Sequence, residues 1–299
     1  MTAAVTGERP GRFQGLGSAP APALVAGLAF LLLFWEPLRT LARDWWTDPD
    51  AGHGLLLGPL AIWLAWRRGL AGGIPGEAGG HRVTGLVLLA GAVVLRYLSG
   101  LAAELFTMRL SMMGAGFGLV VFLWGWRQLR AWWLPALLLV LSIPIPDVVL
   151  NSLAFPLQLK ASQGGAALLE WRQVPVRVAG NVILMPGQTL FVTEACSGLR
   201  SLTALIALGT LVGGLWLRRP WTRILLVLGT LPVAMALNSV RIFLTGFLVY
   251  YVSPGLGEGF MHYSEGWAIF TVAFGVLGGL AWVLSRAEGQ WRRAGSTGT

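Results

Sequence analysis

Cysteine, lysine and acidic residues are all scarce in this 299-residue chain, and each shortage excludes something. One cysteine, Cys196, permits no intramolecular disulfide and no cysteine-rich metal site. Lysine occurs once, at Lys160, so the basic charge is carried almost entirely by arginine. Asp and Glu together number 13, and charged residues of both signs reach only 12%, which excludes an ordinary soluble domain. There is no His-Glu-x-x-His sequence and no pair of acids inside an apolar run, which leaves zinc-peptidase and intramembrane aspartyl chemistry without support. Neither a metal nor a cofactor is expected.

What fills the chain is apolar. Hydrophobic residues make up 55%, mean hydropathy is +0.68, and apolar runs of about 17 to 25 residues recur along most of the length. The reading is an all-α polytopic membrane protein. A net charge of +9 raises the question of nucleic acid. The arginines, however, are scattered at the ends of apolar segments instead of clustering with aromatics, so topology signals explain them better and no nucleic-acid partner is expected. Many of the fifteen tryptophans lie beside segment ends, where an interfacial belt in contact with lipid would form.

The runs predict about eight transmembrane helices, at roughly 22–38, 54–66, 83–100, 108–126, 131–146, 197–217, 222–250 and 266–285. Residues 1–21, rich in Gly, Pro and Ala with Arg9 and Arg12, read as a disordered cytoplasmic tail, 22–285 as the membrane domain and 286–299 as a second cytoplasmic tail. No small-residue cleavage site follows the first run, so it reads as a retained span. Eight crossings put both termini on one side. Arg67, Arg68, Arg82, Arg127, Arg130, Arg218, Arg219, Arg223 and Arg286 make that side the cytoplasm. The second run is short enough to tilt or re-enter, and in the latter case the termini would lie on opposite sides.

Only one connection is long. After Ile143-Pro144-Ile145-Pro146 stops the fifth run, residues 147–195 read as a small extracytoplasmic cap. Apolar residues at 150, 153, 154 and 157 have helical spacing and predict a helix lying along the interface. Val174–Val178 and Val182–Met185, β-branched and punctuated by Ala179-Gly180-Asn181 and Pro186-Gly187, predict one or two short strands. The cap leads straight to Cys196.

Three residues converge on one membrane face. Cys196 opens an apolar helix, where unpaired N–H groups and the helix dipole favour a thiolate nucleophile over a thiol. Arg200 would add a cation one turn on, and Glu194 is an acid favoured just before a helix N-terminus. The bland alternative for Cys196 is a small buried hydrophobe. Arg241 lies inside the seventh run, eighteen residues beyond Arg223, or roughly 27 Å of helix against a hydrocarbon core of about 30 Å. It therefore sits near the outer interface, with Asn238 one turn before it. An intramembrane guanidinium is expensive and so a functional hypothesis, with a snorkelling or structural arginine as the alternative. His262, in the outside loop before the last run, can exchange protons near neutrality. A Cys nucleophile, a His acid/base and an Arg oxyanion donor make a complete acyl-transfer set.

Four stretches, Glu194-Ala195-Cys196-Ser197-Gly198-Leu199-Arg200, Asn238-Ser239-Val240-Arg241-Ile242, His262 followed by Gly266-Trp267, and Trp46, Asp48, Pro49 with His53-Gly54, together resemble the exosortase/archaeosortase family of membrane transpeptidases. In the last of these, Ala51-Gly52 replaces the commoner Tyr-Ser. The resemblance covers roughly residues 25–285. It implies catalysis by Cys196, Arg241 and His262, with His53 in a supporting role beside Glu194, Asn238 and Arg200. It also implies exported substrates carrying a C-terminal tripartite signal, a Pro-Glu-Pro-like (PEP-CTERM) motif, a transmembrane helix and a basic tail, which are cleaved and passed to an unknown surface acceptor. The host membrane would be a bacterial inner membrane or an archaeal one. Family descriptions cast the arginine as proton donor, whereas a guanidinium suits oxyanion stabilisation, and the sequence leaves that role open. Two rivals remain, a transporter and a non-catalytic membrane scaffold. The gathering of polar residues at one face rather than at the midplane disfavours the transporter.

Overall fold

A computed structural model describes residues 20–48, 50–70, 79–191, 199–253 and 260–296. The chain divides into two compact units, Met1–Ile143 and Pro144–Thr299. Three described helical stretches, His81–Leu101, Leu105–Ala131 and Pro220–Tyr251, are each long and apolar enough to cross a membrane, and a broken pair at 24–47 could supply a fourth. This is a helical membrane protein with one small sheet.

In the first unit, α1 (Pro20–Leu33) does not continue through the expected span 22–38. Phe34 leaves the helical region (φ −106°, ψ 18°), and α2 (Trp35–Thr47) departs at 69°. The physical reason lies in α2 itself: Glu36, Arg39, Arg43 and Asp44 are costly in hydrocarbon, while Pro37 and Leu41 are buried on one face. The helix therefore turns to keep its charges out of the apolar layer. Trp45 at its end packs flat on α3 (Gly54–Arg68): a Cβ at Gly54 or Gly58 would lie 2.1 or 2.6 Å from the indole, whose N–H donates to the Ser142 carbonyl at 2.8 Å.

α4 (Gly79–Leu101) and α5 (Leu105–Ala131) form an antiparallel hairpin, closest where Gly85 meets the Phe122 backbone and Gly118 meets Leu89. Glu104 caps α5, accepting from the N–H groups of Phe106 and Thr107 at 2.9 and 2.7 Å and from the Thr107 hydroxyl. The Thr107 hydroxyl bond holds its carboxyl below the usual 4.5, with burial opposing and the two N–H groups and Arg109 assisting. Gly125 (φ 78°, ψ 175°) kinks α5, and α6 (Trp133–Leu141) then runs back along α3. Arg68 donates to the Ala131 carbonyl at one end of that pair, and His53 meets the Leu141 carbonyl at the other.

The second unit holds α7 (Asp147–Trp171), β1 (Arg177–Ala179), β2 (Val182–Met185), β3 (Gln188–Phe191), α8 (Leu199–Trp216), α9 (Pro220–Tyr251) and α10 (Phe260–Ser296). The sheet is an antiparallel meander with two-residue turns at Gly180-Asn181 and Pro186-Gly187, where Gly180 and Gly187 take positive φ. Three strands form where one or two were expected. The third, Gln-Thr-Leu-Phe, carries one β-branched residue and is recruited by the preceding turn.

The cap helix also differs from expectation. It does not lie across the end of the bundle: α7 runs parallel to α9, with Leu157 and Ala161 beside Ala234–Asn238, Gly165 beside Ile242, and Leu169 beside Gly246. A Cβ at Gly165 would fall 2.4 Å from Ile242 Cγ2, so only glycine admits this approach. The stripe Gln158, Ala161, Ser162, Ala166 and Leu169 is buried at helical spacing, which an interfacial helix would not need. Val174, Ile183 and Met185 close the same core against Ile242 and Val249.

α8 and α10 are both antiparallel to α9. Gly209 faces Thr230 and Gly213 faces Leu226, while Gly229 faces Leu280. At the loop end of the α8–α9 pair, Glu288 of α10 accepts from the Arg218 and Arg219 N–H groups at 3.1 and 3.0 Å and from the Thr222 hydroxyl. Burial raises this carboxyl, but the hydroxyl and the two N–H groups outweigh it and hold it below 4.5.

Candidate active site

Arg241 is the best-described member of the expected set. It sits half-buried on α9, and its backbone carbonyl accepts from the Thr245 hydroxyl at 3.0 Å. Asn238, one turn earlier, is 5% exposed, and among the described residues its Nδ2 has no hydrogen-bond partner. A buried amide N–H without an acceptor is costly, so this one calls for an occupant. It lines a small pocket whose other walls include Leu157 and Ala161 of α7, Leu202 of α8 and Ala234 of α9. Ser162 on α7 is likewise fully buried, with no partner for its hydroxyl among the described residues.

The remaining members are reached through their helices. Cys196 and Glu194 lie outside the described residues. The backbone of Arg200 is in the first turn of α8, but its side chain is not described. The register of α8 on α9, from Gly213 beside Leu226 through Gly209 beside Thr230 to Leu202 beside Asn238, carries that first turn to the level of Arg241. The backbone of His262 is in the first turn of α10, and its side chain also lies outside the described residues. Since α10 is antiparallel to α9, that turn points toward the half of α9 holding Arg241. Thus Arg241, Asn238 and the start of α8 come together in the described residues, and the thiol and imidazole are not described with them. His53 belongs to the first unit, where it precedes α3 and lies 3.2 Å from the Leu141 carbonyl.

Two charged groups escaped sequence reasoning, the first being Arg96 of α4, paired with Glu36 of α2 at 2.8 Å. Arg241 is not the only arginine within an apolar run: Arg109 on α5 is 3% exposed and pairs with Asp44 of α2 at 2.5 Å. Its partner is 65 residues away, so no local spacing could have revealed the pair. The place of Arg109 in the fifth residue of a strongly apolar helix was the available signal.

Comparison with known families matches residues 45–279 to transmembrane exosortases, more than half of the chain. No curated protein and no solved structure matches it.

Proposed function

The chain belongs to the transmembrane exosortase family, and from that premise we propose that it is a membrane-embedded cysteine peptidase or transpeptidase that cleaves C-terminal sorting signals from exported proteins. In this reading the Cys196 thiolate attacks the scissile carbonyl and forms a thioester, His262 protonates the leaving amine, and a second nucleophile resolves the acyl-enzyme. Arg241 stabilises the oxyanion or the thiolate, since a guanidinium does not readily give up a proton. The substrate signal is a Pro-Glu-Pro-like motif, a transmembrane helix and a basic tail, and the acceptor is a surface molecule. The active site faces outward, both termini are cytoplasmic, and the host membrane is a plasma membrane. The eight-span topology belongs to the same proposal, with α7 rising beside α9 in place of the fifth run.

The observation that carries this reading within the fold is the register of α8 on α9. The helix that begins just after the single cysteine starts at the level of the half-buried Arg241, beside an amide donor that lacks an acceptor among the described residues. A transporter would instead concentrate such groups near the midplane, between broken helices of related halves.

The test is processing of a co-expressed reporter bearing the tripartite signal, read as a gel shift. Wild type should yield the shortened product, and Cys196→Ala, present in the membrane at equal level, should not. Undiminished processing by Cys196→Ala would favour a non-catalytic scaffold serving another enzyme.

A further inference from the structure

The sheet of the second unit ends in an open edge. Among the described residues β3 pairs only with β2, so its other edge has no strand partner. The register settles which backbone groups face outward. Gln188 and Met185 flank a two-residue turn and so exchange both of their hydrogen bonds, as do Leu190 and Ile183. Thr189 and Phe191 alternate with them and direct their N–H and C=O groups away from β2, toward the open side. Such an edge is a template for another extended chain, and proteins usually blunt it with a charge, a proline or a bulge. β3, Gln-Thr-Leu-Phe, carries none of these.

Two observations identify the occupant. Phe191 is only five residues before Cys196, so the strand end lies within at most about 18 Å of the thiol by chain length alone. The inner face of the sheet, through Ile183 and Met185, is continuous with the aromatic run Phe243, Phe247 and Tyr251 on α9, whose last ring is 53% exposed. An added strand would therefore find backbone partners at the edge and apolar contact beneath it. Resting on the peptidase reading above, we infer that β3 is the substrate-docking strand: the extended peptide segment leading to the scissile bond adds to its free edge, so that main-chain hydrogen bonds deliver the carbonyl to Cys196.

The single cysteine makes the test clean. In a Cys196→Ala, Thr189→Cys chain the only thiol lies on β3, and single cysteines can be walked through the reporter segment upstream of its transmembrane helix for oxidative crosslinking. Strand addition predicts crosslinks at every second reporter position, because alternate side chains of an added strand share the face of residue 189. A second variant, Thr189→Pro, removes one outward N–H without touching the β2–β3 ladder, a position where an edge strand tolerates proline. In the cysteine-bearing wild-type background it should lower processing at limiting reporter by about tenfold with an unchanged Tm. Crosslinking with no two-residue alternation, or unchanged processing by Thr189→Pro, overturns the docking strand while leaving Cys196 chemistry intact. A reporter that wild type does not cleave overturns the peptidase reading, and the occupant named here falls with it.

Discussion

Replacing Gly165 by alanine puts a methyl group where α7 touches α9, one residue past Arg241. The new Cβ would lie 2.4 Å from Ile242 Cγ2, 2.7 Å from Ile242 Cβ and 3.3 Å from the Ser239 carbonyl oxygen. Favourable carbon contacts need about 3.5 to 4.0 Å, so the helices must separate by roughly 1 Å or Ile242 must leave its site. Ile242 is 2% exposed and β-branched, with no room to rotate away. Alanine gains about 1 kcal/mol of helix propensity over glycine, while overpacking costs about 1 to 3 kcal/mol, so the net effect runs from neutral to destabilising by about 2 kcal/mol. Gly164→Ala should cost less, because its Cβ meets mainly the Ser239 hydroxyl at 2.5 Å, the end of a short side chain. Gly275→Ala on α10, where nothing lies within 4 Å, should be neutral or stabilising. Thermal unfolding in detergent should therefore rank the Tm values Gly275→Ala highest, then Gly164→Ala, then Gly165→Ala. Because the displaced turn carries Arg241, Gly165→Ala should also reduce reporter processing by as much as about a hundredfold, the usual cost of a 1 Å misplacement. A Tm for Gly165→Ala equal to or above that of Gly275→Ala would refute the close α7–α9 packing.

Two further outcomes follow from the same unit. Glu288 is held below 4.5 by the Thr222 hydroxyl and the Arg219 and Arg218 N–H groups, against the opposing effect of burial. A depressed carboxyl contributes stability above its unfolded value and loses it as pH falls through the folded one, so Tm should drop below pH 4.5, and Glu288→Gln should have a lower neutral Tm with a shallower acid decline. An equally steep acid decline in Glu288→Gln would exclude this contribution. For topology, Val148 is 84% exposed and 21 residues before Leu169 on α7, or about 31 Å of helix. In a Cys196→Ala background, Val148→Cys should resist a membrane-impermeant maleimide added outside, whereas Thr189→Cys should react. Rapid outside labelling at 148 would restore the interfacial helix.

Element types were readable where periodicity was strong and local. The apolar runs at 83–100, 108–126 and 222–250 correspond to α4, α5 and α9 because predominantly apolar stretches of 18 residues or more leave little alternative. The break at Phe34 was harder, since it depends on Glu36, Arg39, Arg43 and Asp44 occupying a helix that begins in an apolar run. The path of α7 was not legible in hydropathy at all. Its decisive residues are Gly164 and Gly165, and glycine in a helix reads as weakness until the facing surface, Ser239 and Ile242, is known. For the site, Arg241 and Asn238 could be singled out because polar groups in an apolar run need a reason. The Arg109–Asp44 pair has the same chemistry but joins helices far apart in sequence, so only the folded chain identifies the partner.

The close contacts of the second unit explain how Arg241 can be held in place at all. In lipid there is little hydrophobic force to press helices together, so packing rests on small residues that let backbones approach and on buried polar pairs. α9 has such contacts on two sides, with Gly164 and Gly165 of α7 against Ser239 and Ile242, and Gly209 and Gly213 of α8 against Thr230 and Leu226. At its first turn, Glu288 ties α10 to the α8–α9 loop through two backbone N–H groups and the Thr222 hydroxyl. The helix is thus fixed at one end by hydrogen bonds and along its middle by glycine contacts. Arg241 and Asn238 lie just where the α7 contact is tightest and the α8 pair comes to its end. A guanidinium on a freely rotating helix would turn toward the interface to keep its hydration. Held on both flanks, α9 cannot turn in this way, and the energy that fixes its rotation comes in part from the contacts of Ser239 and Ile242, immediately beside Arg241.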